Sequence, residues 1–139
     1  MKKFLILLAA TLAVPLFAVE FPKGNPAFST NYKQAIETAK KENKPVVLVF
    51  SSEFCSPCKA MLKSVYPNKK VTPYHDQFVW VYVDTDVEEN IAVAEKYQVQ
   101  VTPHFQFLSA DGKSLGVQAG AAEAREFAGL LGTVLAKAK

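Results

Sequence analysis

The chain has 139 residues, of which 50% are apolar and 21% charged, with a formal net charge of +3. That size suits one globular domain around one core. The lysines are spread along the chain rather than grouped on one predicted helix or loop, which gives nucleic-acid binding no support, and there is no internal repeat or low-complexity segment.

Met1-Lys2-Lys3 is a basic start, and the run from Phe4 to Ala13 is apolar and uncharged. This is the pattern of a secretory signal. Pro15 and the small Ala18 close the segment, so residues 1–18 are predicted to be a signal peptide and residues 19–139 the folded domain. A membrane anchor is the rival reading. The stretch from Phe4 to Val19 falls short of the about 20 apolar residues that span a bilayer, and Pro15 interrupts it. No cysteine near the cut offers a site for a lipid anchor. Removing Lys2 and Lys3 lowers the formal charge to +1. The predicted location is extracytoplasmic, in the bacterial periplasm.

Phe21 to Phe28, with Pro22, Gly24 and Pro26, reads as an irregular arm. Ser29 or Thr30 is placed to cap a helix over Tyr32 to Lys41 that turns Ile36 and Ala39 inward and ends at Lys44-Pro45. Val46 to Phe50 is a continuous apolar, mostly β-branched run, as in a strand buried on both faces. A helix follows over Lys59 to Val65, stopped by Pro67. Asn68 to Gln77 reads as loop with some helix. Phe78 to Val83 is strand-like, and Asp84-Thr85-Asp86 offers caps for a helix from about Glu88 to Tyr97. Phe105 to Leu108, the turn Ser109 to Gly112, and Ser114 to Val117 form a hairpin. A last helix runs from about Ala122 to Ala136. The order of elements predicts an α/β fold with a central mixed sheet flanked by helices on both faces.

The chain has two cysteines, Cys55 and Cys58, at the junction between the first strand and the helix after it. In an exported protein they could form a structural staple. A bridge over two residues closes so small a loop that its chain-entropy gain is low, so reactivity is the better reason for the spacing. At a helix start, free backbone N–H groups and the positive end of the macrodipole stabilise a thiolate. Cys55 has that position. Cys58, one turn later, can attack a mixed disulfide at Cys55 and release the partner. Pro57 fits a first turn that needs no N–H from it, and Ser56 is small enough for a partner to approach.

Strand Val46 to Phe50, then Glu53-Phe54-Cys55-Ser56-Pro57-Cys58-Lys59, then Val101-Thr102-Pro103 ahead of a hairpin together resemble the thioredoxin family. The resemblance runs from about Tyr32 to the end. It implies a thioredoxin-like fold with a cis Thr102–Pro103 bond facing the cysteines. It also implies an active-site loop that includes Phe54, Ser56 and Pro57, and a Thr102 backbone that docks an extended substrate segment. Thioredoxins proper have a Trp before the first cysteine, a Gly between the cysteines, and a buried Asp and Lys that serve the second thiol. Those positions hold Phe54, Ser56, Val49 and Trp80 here, so that proton relay is expected to be missing. Glu53 reads as a solvated surface carboxylate.

His104 follows Pro103, and the fold is expected to bring it towards the cysteines, where it would shape the groove; no metal site is expected. His75 reads as a surface residue, and Trp80, Phe105, Phe107 and Phe127 as core. The predicted activity is thiol:disulfide exchange with protein substrates, in the reducing direction, by a monomer without a cofactor, recharged by a membrane electron-donor thiol protein. The alternative is a non-enzymatic module of the same fold that binds a metal ion or a partner protein through the cysteine pair.

Overall fold

A computed structural model describes residues 19–139. The segment read as a signal peptide lies outside the described residues. Four strands form one mixed sheet in the order β2-β1-β3-β4. They are β1 (Val46–Ser51), β2 (Val79–Asp84), β3 (His104–Leu108) and β4 (Ser114–Ala119). β1 runs parallel to β2 and antiparallel to β3, and β3 to β4 is the predicted hairpin. Every residue of β1 is buried, as its unbroken apolar run requires for a strand with neighbours on both edges and helices on both faces.

The helices are α1 (Tyr32–Glu42), α2 (Ser56–Ala60), α3 (Ile91–Lys96) and α4 (Ala124–Ala138). Side chains alternate across a strand, so β1 feeds two cores. Val47 and Val49 meet Met61, Tyr66, Trp80, Phe105, Phe107, Phe127 and Leu131, under α2 and α4. Val46, Leu48 and Phe50 meet Ala35, Ala39, Val81 and Val83, with Val93 and Ala94 alongside, under α1 and α3. The four aromatics read as core all lie in the first cluster, where the Phe105 and Phe127 ring centroids are 5.0 Å apart.

Three local expectations are corrected. The cap of α1 is Asn31, whose side chain accepts the Gln34 N–H at 3.0 Å. Ser29 instead pairs with the edge of β2, donating its N–H to Trp80 O at 2.9 Å and accepting the Tyr82 N–H at 2.8 Å. The helix foreseen over residues 88–97 is split into a 3₁₀ turn, Glu88–Asn90, and α3. Finally, His75 is half-buried, with Nε2 2.8 Å from Tyr66 O and its ring against Trp80.

Beyond α2 the chain continues as a π turn, Met61–Val65. The Tyr66 N–H bonds to Met61 O at 3.0 Å, which removes the ordinary helical partner of Leu62 O. The residue five beyond Leu62 is Pro67, which has no N–H. Asn25 of the N-terminal arm supplies the missing donor, its Nδ2 lying 2.8 Å from Leu62 O. The arm also packs Phe21 and Phe28 against Tyr82.

Candidate active site

β1 ends at Ser51, and the loop 52–55 turns the chain into α2. Cys55 is the N-cap residue of α2, with Cys55 N bonded to Ser52 O at 3.2 Å. Its sulfur takes the role a Ser or Asp oxygen plays at other helix starts, accepting the Cys58 N–H at 3.2 Å. Pro57 sits in the first turn, where its missing N–H leaves no gap. Cys55 and Cys58 are joined as a disulfide with Cα atoms 5.2 Å apart. Cys55 is 8% exposed and Cys58 3%, while the neighbouring Phe54 stands out at 87%. Ser56 and Pro57 are also exposed.

The loop before Cys55 is held from β2's end. Asp86 Oδ2 accepts the Ser52 hydroxyl at 3.0 Å and the Glu53 N–H at 2.8 Å. Asp86 therefore caps this loop rather than a helix of its own, and the Glu53 side chain is exposed. Spacing alone could not reveal this contact, because it crosses 33 residues of sequence.

Thr102–Pro103 is cis. The register pairs Phe50 with His104, which puts Pro103 one residue further on, at the end of the sheet from which the cysteine loop leaves. Pro103 O accepts the Gly120 N–H at 2.8 Å, whereas Thr102 takes part in no backbone hydrogen bond among the described residues.

His104 does not join the cysteines. Directly opposed residues of an antiparallel pair share a face, and the imidazole lies against Phe50, 5.5 Å between centroids, on the side covered by α1 and α3. α2 continues into Met61 on the other side. His104 is 5% exposed, its Nε2 has no partner among the described residues, and burial pushes its pKa below the ordinary imidazole value.

Val49 and Trp80 are both buried, and the Trp80 Nε1–H donates to His75 O at 3.0 Å. No acid–base pair occupies those two positions. The polar contact on this face is elsewhere: the Tyr82 hydroxyl donates to Ser51 Oγ at 2.7 Å. The sequence reading missed it, although the parity of Val47, Val49 and Ser51 along β1 was the available signal.

The family model for the thioredoxin-like domain matches residues 32–135. A thioredoxin of Borreliella burgdorferi is 32% identical over 60% of this chain and 68% of its own length. The thiol:disulfide interchange protein TxlA of Synechococcus elongatus is 24% identical over 84% of this chain, but the match spans only 62% of that protein. The solution structure of a thioredoxin from Thermus thermophilus superposes with a TM-score of 0.70 at 29% identity, over 82% of this chain and 87% of that one. The chain belongs to the thioredoxin-like family, as a thiol:disulfide oxidoreductase. Its disulfide-capable couple is Cys55–Cys58, the two cysteines it contains.

Proposed function

We propose that the chain exchanges its Cys55–Cys58 couple with protein disulfides outside the cytoplasm, chiefly as a reductase. The observation that carries the division of labour is the asymmetry at the head of α2. Cys55 is the more exposed of the two residues and its sulfur accepts the Cys58 N–H, a bond that favours a thiolate there, while Cys58 is the more buried. In the reduced protein the Cys55 thiolate attacks a partner disulfide. One new S–S bond forms, one partner sulfur leaves with the electron pair, and it takes a proton from water. Cys58, having lost its proton, then attacks Cys55 Sγ. The internal disulfide forms and the second partner sulfur leaves, so the partner gains the two electrons that the dithiol loses.

The Thr102 backbone, next to the buried Pro103, is the proposed docking edge for an extended substrate segment. The basic start and apolar run of residues 1–18 support export. Pro57 before the second cysteine resembles the reducing members of the family, and a reductase in an oxidising compartment needs a membrane thiol donor to recharge it. The test is catalysed insulin reduction by the purified chain beside Cys55→Ser, Cys58→Ser and the double variant. A wild type no faster than the double variant sinks the enzymatic role. Equilibration against glutathione settles direction: a potential well below that of the glutathione couple supports the reductase, and one above it overturns that part.

A further inference from the structure

We propose that the outer edge of β2 carries a peptide-docking slot, set apart from the disulfide, in which an extended basic segment of a partner protein adds to the sheet beside Val79.

The slot follows from the parity of β2. Both backbone polar groups of a strand residue point to one edge, and successive residues alternate between edges. The Val79 N–H donates to Pro45 O at 2.9 Å, so Val79, Val81 and Val83 face β1. Phe78, Trp80 and Tyr82 therefore face outward, with Phe78 continuing the extended backbone at φ −129° and ψ 157°. Ser29 of the arm serves part of that edge, donating to Trp80 O at 2.9 Å and accepting the Tyr82 N–H at 2.8 Å. A continuous strand would bring Ala27 to the next position, opposite Phe78 O and the Trp80 N–H. It does not, because the Phe28 N–H closes a tight turn on Pro26 O at 2.8 Å and swings the arm away. The Trp80 N–H and Phe78 O are thus left without a hydrogen-bond partner among the described residues, although Trp80 is 2% exposed and Phe78 4%. An unpaired backbone N–H on a buried residue is rare in folded proteins.

The edge also has room beside it. A cavity of about 430 Å³ lies between Ala27 on the arm, Gln34 and Thr38 on α1, and the segment from Phe78 to Trp80. That volume is typical of ligand sites. Its lining includes Glu42, Lys44 and Asp76, two carboxylates against one ammonium. Lys44 Nζ is 3.7 Å from the Glu42 carboxylate, while Asp76, exposed near the end of the 3₁₀ turn Thr72–Gln77, forms no ion pair among the described residues. The excess charge is negative and favours a Lys or Arg side chain on the incoming segment.

One residue of that segment meets both backbone groups. Its N–H donates to Phe78 O and its C=O accepts the Trp80 N–H, repeating one step back along β2 what Ser29 does, which is recognition by strand addition. The length of β2, roughly 17 Å, separates the slot from the end of the sheet that carries the cysteine loop. The docked segment therefore leaves Cys55 free.

The test titrates nitrogen-15-labelled protein with three capped peptides, Thr-Xaa-Val-Xaa-Thr with Xaa as Lys, Gln or Glu, and follows the Trp80 amide by NMR. It needs no turnover, so it stands apart from the insulin assay. The Lys peptide should bind most tightly and the Glu peptide least, each bound form moving the Trp80 amide signal downfield and slowing its exchange with solvent. Asp76→Lys, a change at an exposed position, should weaken the Lys peptide by about tenfold. The same peptide N-methylated throughout, which has no N–H to give Phe78 O, should leave the signal in place. If none of the three peptides moves the Trp80 amide, or the N-methylated one moves it equally, the slot is overturned. A Glu peptide that binds as tightly as the Lys peptide overturns the basic partner. A Trp80 signal that shifts with protein concentration alone overturns the partner protein in favour of a second copy of this chain.

Discussion

The Asp86 carboxylate accepts the Glu53 N–H at 2.8 Å, tying the end of β2 to the loop that delivers Cys55. The same oxygen takes the Ser52 hydroxyl, so one side chain fixes two consecutive residues of that loop. Bonds to a charged acceptor are stronger than neutral ones. Asp86→Ala is expected to lower stability by about 1 kcal/mol, the usual loss when a capping side chain is removed. Asp86→Asn should lose less, because its amide oxygen still accepts. Urea unfolding gives the first quantity. Hydrogen exchange at the Glu53 amide, faster in Asp86→Ala than in wild type, separates a loosened loop from general destabilisation.

His104 gives the fold an acid sensitivity. Burial against Phe50 lowers its pKa, and among the described residues Nε2 has no partner to compensate a charge. As pH falls below about 6.5, the histidine of the unfolded chain takes up its proton before the folded one does. The unfolded state then binds more protons, so stability drops on acidification and recovers as pH rises back through that window. Thermal unfolding followed at pH 7, 6 and 5 should show this fall. His104→Phe, which keeps an aromatic ring against Phe50, should flatten it; an unchanged slope in that variant would place the sensitivity elsewhere.

β1 and the cysteine motif were legible because both depend on local signals. An apolar run of five residues reads as a doubly covered strand without any tertiary knowledge, and the Cys55–Cys58 spacing at a strand-to-helix junction carries its own chemistry. Asp86 was misread for the converse reason. An acid between a strand and a predicted helix looks like a cap for that helix, and only the parallel β1–β2 register reveals that it faces the loop after β1. His104 was misassigned because adjacency to Pro103 was taken as direction. Strand parity with the core residues Phe105 and Phe107 puts its ring on the other face. The π turn had no sequence signature beyond Pro67, whose missing N–H matters only once Asn25 is known to cross over it.

That crossing makes a third prediction. Asn25 Nδ2 satisfies Leu62 O, a carbonyl whose helical partner is taken by Met61 and whose next partner in line is a proline. Asn25→Ala should cost about 1 kcal/mol in urea unfolding. Adding Pro67→Ala, which restores an N–H five residues after Leu62, should recover part of that loss. If the two changes are simply additive, the carbonyl is not what couples them.

Phe54 offers a test of whether recognition can be separated from chemistry. It stands 87% exposed directly before Cys55, so it contributes little to the core. Phe54→Ala should therefore leave stability within about 0.5 kcal/mol of wild type. Exposed aromatics beside a reactive centre act as anchors for a protein partner, and truncating one typically weakens association by about tenfold. Insulin reduction should show this as a raised KM with little change in kcat. Reduction of a small aromatic disulfide, which reaches the Cys55 sulfur without a docking surface, should proceed at the wild-type rate. Equal losses on both substrates would mean that Phe54 shapes the reactive sulfur itself rather than the surface that receives the partner.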